Sequence, residues 1–357
     1  MKKVVVCLFA AVMGILAVSP AYPAVSESAV LFLLITPNAR AAGMGEAFVA
    51  VADDATAAFW NPAGLAFQQG REVTLTHTNW LRQLVDDMSF EYLAYKQHVP
   101  SLGGTIGGSV TFFNLGEQVH TAEYTDSEGR PIELGTFNSW ELGVSVCYGT
   151  QLGENLGLGA GMRYIRSALA PFSAGSQQGK GIGNSFSVDL GVLYRMPFLK
   201  ALQFGANLSN MGPKITYIDA AQADPLPTNL KIGLSYKVLD SEFNKLRIAI
   251  DTNKLMVVRK KDEKPAPFYE AIFTAWGEGS LSEQARELIT CLGAEYVYNK
   301  MIFLRAGYYY DEEGKVKYPA FGAGLQYSLF RFDFGYVAAE SGHPLADTMR
   351  FTLTANL

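Results

Sequence analysis

Residues 184–196 read NSFSVDLGVLYRM, in which Phe186, Val188, Leu190, Val192 and Tyr194 share one parity while Ser187, Asp189, Gly191 and Arg195 share the other. Successive side chains of a β-strand point to opposite faces, so the stretch is a strand with one greasy and one polar side. The pattern recurs downstream. Leu202, Phe204, Ala206 and Leu208 alternate with Gln203, Gly205, Asn207 and Ser209, and Leu230, Ile232, Leu234 and Tyr236 with Lys231, Gly233, Ser235 and Lys237. Phe330, Phe332, Phe334 and Tyr336 alternate with Arg331, Asp333 and Gly335, and Phe351, Leu353, Ala355 and Leu357 with Arg350, Thr352, Thr354 and Asn356.

Fourteen such segments can be drawn, at 72–80, 87–99, 103–113, 136–149, 156–166, 184–196, 201–210, 228–238, 246–252, 291–299, 301–309, 320–328, 330–338 and 349–357. A soluble β-sandwich also alternates, but its strands average about 5–6 residues, whereas a tilted strand needs about 9–11 to cross hydrocarbon. Tyr148, Tyr164, Tyr194, Tyr236, Tyr298, Tyr308, Tyr327 and Tyr336 gather towards segment ends, as an interfacial girdle requires. The links decide the matter. Those around Ser101, Gly153, Phe198, Ser241, Lys300 and Leu329 are tight. The alternate ones are mostly longer: 114–135, 167–183, 211–227, 253–290, 310–319 and 339–348, with 81–86 the short exception. Short periplasmic turns, long external loops and an even strand count define an outer-membrane barrel. The expected fold is therefore all-β, a transmembrane antiparallel β-barrel of about 14 strands over 71–357.

Lys2 and Lys3 precede an apolar run from Val4 to Val18 and then small residues, so 1–24 reads as a signal peptide cleaved after Ala21 or Ala24. With 29 Lys and Arg against 34 Asp and Glu, and no basic tract, nothing invites nucleic acid. Cys147 and Cys291 fall on strands nearly opposite each other, too far apart for the roughly 7 Å a disulfide allows, so two free thiols are expected.

Residues 25–70 are different in kind, too irregular for strands and too rich in small residues for one straight helix. Gly43 and Gly45 bracket Met44 as at a close backbone approach, Asp53 or Asp54 can cap a short helix, and Pro62 stops it. The expected place for this segment is inside the barrel, as an N-terminal plug. The run FLLITPNARAAGMGEAFVAVADDATAAFWNPAGLAF resembles the N-terminal region of the PorV/PorQ outer-membrane proteins, related to FadL-type transporters of hydrophobic compounds. The resemblance rests on Phe32 to Ile35, Pro37 to Arg40, Gly43-Met44-Gly45, Asp53 or Asp54, and Trp60-Asn61-Pro62-Ala63; Asn38 replaces the usual Asp, and Gly64 stands where the secretion branch tends to carry Lys. It implies a cell-outer-membrane barrel whose PorV branch serves type IX secretion. Such a protein would act as a shuttle or receptor for secreted cargo proteins with C-terminal sorting domains, alongside other secretion-system subunits. The FadL branch implies instead passive uptake of hydrophobic small molecules.

The inward parity carries Glu141, Arg163, Asp189, Arg195, Lys231, Arg247, Asp251, Glu295, Arg305, Asp333 and Arg350. Mixed signs suggest a salt-bridged lumen that grips the plug, with Arg163 and Arg195 as expected grips, rather than a selective pore. No enzyme is indicated, because His77, His98, His120 and His343 lie in no recognisable Ser/Asp setting. No cofactor or metal is indicated either: Asp311, Glu312 and Glu313 lack the alternating spacing of a calcium loop. Within 253–290, Ser280 and Glu283 form a capping-box pattern that opens a short helix, either contacting partners or capping the mouth. Residues 173–183 read as a mobile Gly/Ser/Gln-rich loop.

Overall fold

In hydrocarbon every backbone N–H and C=O must find a partner within the protein, and a sheet meets that demand only by closing. The computed structural model shows such closure. It describes residues 28–82, 85–172, 180–219, 222–258, 264–277, 280–340 and 342–357. The signal-peptide expectation at 1–24 lies outside the described residues, as does most of the 173–183 loop.

Fourteen strands form one closed antiparallel barrel in chain order. They are β1 (Arg71–Asn79), β2 (Ser89–Val99), β3 (Gly104–Thr125), β4 (Pro131–Leu152), β5 (Leu156–Ala170), β6 (Gly181–Arg195) and β7 (Leu202–Met211), followed by β8 (Asn229–Asp240), β9 (Asn244–Leu255), β10 (Ile289–Tyr298), β11 (Ile302–Asp311), β12 (Val316–Tyr327), β13 (Phe330–Val337) and β14 (Thr348–Asn356). The seam between first and last strands runs from Glu72 opposite Asn356 to Thr78 opposite Arg350. Thr74 and Thr76 face Thr354 and Thr352 across it, their hydroxyls hydrogen-bonded at 3.2 and 2.7 Å.

The alternation partitions the wall as the sequence requires. Leu190, Ile250, Leu304, Phe332 and Leu353 are exposed on the outer face, while Asp189, Asp251, Arg305, Asp333 and Thr352 are buried towards the lumen. The hydrophobic core of a soluble protein is thus turned inside out, with lipid standing where a second layer would pack.

One sequence reading is corrected. Residues 114–135 are largely not a loop: β3 and β4 each run to 22 residues, paired as far as Thr125 opposite Pro131, with a tight turn at Asp126–Arg130. Beyond Asn114 both faces meet water, so the apolar period that marks a strand in lipid is absent although the ladder continues. Register shifts near Asn114 and His120 blur it further. The loop after β9 does carry the capping box, with Ser280 Oγ accepting from Glu283 N–H and Glu283 Oε2 from Ser280 N–H, opening the helix Leu281–Arg286. Its other helix, Phe268–Thr274, packs with Met256, Val258 and Trp276 against Leu208 and Leu230, which share the outward parity of β7 and β8. This loop therefore folds over the outer rim.

Replacing Leu190 by Arg places a charge near the middle of the lipid-facing band and is expected to cost about 2–4 kcal/mol. Urea unfolding of the vesicle-inserted protein measures this; a loss below about 0.5 kcal/mol contradicts the assigned face.

Candidate functional site

The lumen is occupied by the chain's own N-terminal segment, in pieces too short to be stable alone. A 3-10 turn covers Leu31–Leu34, short helices cover Ala39–Gly43 and Ala57–Trp60, and a second 3-10 stretch covers Pro62–Phe67. Isolated helices of one turn do not pay for their nucleation, so packing against the wall must hold them. At the long-loop end Phe32 and Leu33 are buried among Phe90, Phe113, Ile165, Ile215 and Leu226. Midway, Met44, Phe48, Trp60 and Leu65 pack with Cys147, Ala249 and Cys291, both cysteines being buried free thiols.

Close approach is made possible by glycine on both sides. A Cβ built on Gly307 of β11 would stand 2.1 Å from the Gly45 nitrogen, and one on Gly159 of β5 would stand 2.2 Å from the Ala63 nitrogen. Gly45 adopts φ 59°, in the left-handed region that glycine enters without strain. These inward-parity wall glycines are what sequence reading passed over. The available signal was a residue without a side chain recurring mid-strand on the polar face, as at Gly191, Gly205 and Gly335.

The motif residues each do a definable job. Pro37 is buried, and Asn38 Oδ1 accepts from Trp60 Nε1 at 3.0 Å, a role an aspartate oxygen would fill equally. Asn61 donates from Nδ2 to Val49 O and to Val192 O of β6, while its Oδ1 receives Ala63 N–H as a cap, with Pro62 opening the turn. Gly64 abuts the Ala52 carbonyl so closely that a Cβ would lie 2.0 Å from its oxygen. A lysine does not fit there without movement.

Charge locks the segment in register. Arg40 donates from Nε and Nη2 to Glu295 of β10 at 2.8 and 2.7 Å, and from Nη1 to Asp53 and Asp54 at 2.6 and 2.9 Å. Arg305 joins Glu295 to Asp333, Arg331 joins Asp333 to Asp54, and Arg247 reaches Asp53 at 2.7 Å. Asp251 Oδ2 accepts from the Phe48 and Val49 backbone N–H groups at 2.5 and 2.7 Å. Burial alone would raise the Asp53 pKa, yet Arg40 and Arg247 hold its carboxyl well below the usual carboxylate range.

The other inward charges divide into those that touch the segment and those that brace the wall. Lys231 Nζ lies 4.3 Å from the Trp60 ring centroid, Arg350 Nε donates to Thr36 O, and Arg195 stacks 3.7 Å over Phe67. Arg163, expected to grip the segment, instead pairs with Asp189 of the neighbouring strand and with Asn210, and Glu141 accepts from Ser167. Parity gives the face but not the partner, and an adjacent strand lies nearer than the lumen centre. Sequence reading missed two participants: Arg331, whose parity matches Asp333, and Glu72, which accepts the Ala55 N–H.

The four histidines are scattered: His77 meets Glu91, His98 meets Thr105, His120 stacks on Phe172, and His343 caps Leu345. Of the acidic trio, Asp311 accepts from Gly314 N–H and Glu312 pairs with Arg286. Among the described residues no cluster suited to a metal is found.

A lipid-facing cylinder of fourteen strands with its own N-terminal segment packed against the inner wall is an outer-membrane barrel. The fold is shared with the Ralstonia pickettii toluene transporter TbuX at 16% identity and TM-score 0.52, covering 91% of this chain and 98% of that one. It is shared with the Pseudomonas putida toluene transporter TodX at 13% and 0.52, covering 88% and 95%. A Pseudomonas aeruginosa FadL homologue matches at 10% and 0.52, covering 90% and 98%. No curated protein matches. The family model for "Type IX secretion system protein PorV" matches residues 22–262, more than half the chain, and the protein belongs to that family.

Gly307→Val is expected to unseat the segment while the barrel stays closed, read as faster hydrogen exchange over 28–70 with unchanged strand content; unchanged exchange contradicts the packing. Arg40→Leu leaves Glu295 and Asp54 short of a buried partner and is expected to cost about 3–5 kcal/mol, read in the same urea assay. The lowered Asp53 pKa means that its stabilisation is complete above the free value of 3.8 and is lost only as pH falls below it. Exchange over 28–70 should thus stay slow at about pH 5 and accelerate below about pH 3. Release already at pH 5 tells against the pairing.

Proposed function

We propose that the protein is a shuttle and receptor in type IX secretion, collecting cargo proteins that bear C-terminal sorting domains and working beside other subunits of that system. The family match carries the reading, because it spans the N-terminal segment and the strands through β9. The geometry agrees with it. In this reading residues 25–70 are a plug that keeps the lumen shut, so the protein works through its outer surfaces rather than through a pore. The strands β3 and β4, extended far past the wall, supply a docking element with exposed Val119, Tyr124 and Leu134. The reading assigns no catalytic residue, no cofactor and no nucleic-acid partner.

A second reading, passive uptake of hydrophobic small molecules, draws on the apolar cluster around Phe32, Phe90 and Phe113 at the long-loop end. TbuX and TodX are toluene transporters, and the shared fold makes the comparison apt. Here, however, that cluster is filled by the segment's own side chains.

Deletion of the protein followed by proteomics of the cell surface tests the first reading. Proteins with the sorting domain should vanish from the surface and accumulate in the periplasm. If they still reach the surface, and a labelled fatty acid binds the purified protein instead, the uptake reading replaces it.

A further inference from the structure

The chain is acidic overall, with a formal charge of −5, yet the barrel mouth bearing the short turns is lined with cations. In outer-membrane barrels that mouth faces the periplasm. A cavity of about 690 Å³ opens there, between the end of the N-terminal segment and the wall, with Lys96, Arg195, Lys200, Lys237 and Arg247 around it and only Asp53 and Glu154 in opposition. A second lobe of about 360 Å³ shares Asp53, Lys237 and Arg247 with it.

The cations are not equally engaged. Arg247 is paired with Asp53 at 2.7 Å, Lys237 with Asp240 at 3.6 Å, and Lys96 Nζ donates to the neutral Gln69 carbonyl at 2.9 Å. The carbon centre of the Arg195 guanidinium lies 3.7 Å from the Phe67 ring centroid, the residue is exposed, and among the described residues no carboxylate pairs with it. An exposed guanidinium held over a ring with no counterion has N–H groups free to take a carboxylate through two parallel hydrogen bonds. The vestibule already holds one carboxylate, the chain's own Asp53, bridged between Arg40 and Arg247.

We propose that this vestibule is a binding site for an acidic peptide segment presented from the periplasm, with Arg195 taking one carboxylate and Lys200 another. The spacing argues for a peptide over a lone anion. The cations stand on β2, β6, β8, β9 and the turn after β6, around a cavity far larger than a phosphate, so a chain bearing several carboxylates reaches more of them than a single ion does. The inference goes beyond the secretion reading and does not rest on it, since binding is measured on the purified protein whatever the deletion phenotype.

The full chain in lipid nanodiscs is titrated with fluorescein-labelled hexaglutamate and followed by polarisation. Binding is expected, weakening steeply with salt, and falling about tenfold in Arg195→Gln/Lys200→Gln as charge-assisted hydrogen bonds are lost. Arg195→Lys with Lys200 intact should bind at intermediate strength. Heat-modifiable gel mobility checks that each variant remains a folded barrel. Absence of binding, equal binding by the double variant, or displacement of hexaglutamate by an equal concentration of inorganic phosphate each overturns the proposal. The last outcome would leave a single-anion site.

Discussion

Closure of the hydrogen-bond ladder governs the rest of this structure. Fourteen strands leave no edge for lipid to meet, but they also enclose a bore that must be filled or left leaking. The protein fills it with polypeptide, and that choice sets the chemistry of the inner face. Backbone has to approach backbone, so the wall gives up side chains at Gly159 and Gly307, while the segment contributes Ala41, Ala42, Ala63 and Gly45. Several of the side chains that remain are buried charges that need partners, and Arg40 serves the buried Glu295 and Asp54 together with the more exposed Asp53.

The network is costly on its own terms, because each desolvated ion needs a well-placed counterion before its burial breaks even. Its effect is positional. A segment packed only by alanine and glycine could slide with little penalty. Fixed at Glu295 through Arg40 and at Asp251 through the Phe48 and Val49 amides, it has one register. The asparagine of the Trp60-Asn61-Pro62-Ala63 motif adds a third fixed point at Val192.

Most of the barrel could be read from the chain because a membrane enforces a simple rule. Strands such as β6 and β7, confined to hydrocarbon, show clean parity, and their bounds fall within a few residues of the expected ones. The extension of β3 and β4 was illegible for the same reason, since outside lipid nothing obliges either face to be apolar. Inside, parity identified Asp251 and Glu295 as lumenal but could not say that one would hold backbone amides and the other an arginine. Arg163 shows the limit: its inward direction was right, yet its partner is Asp189 on the next strand. The glycines stayed silent because contact through an absent side chain leaves no pattern until both surfaces are known.

The placement of the two thiols has a consequence for chemistry in an oxidising compartment. Cys147 and Cys291 are buried in one cluster with Met44 and Leu65 of the segment, so the sulfurs are shielded by the segment as well as by the wall. Peroxide or a thiol reagent gains access only when that cover lifts. A sulfenate or adduct formed in such a moment is bulkier than the thiol it replaces and would obstruct reseating, so one transient opening could become a lasting one, recorded in the sulfur itself.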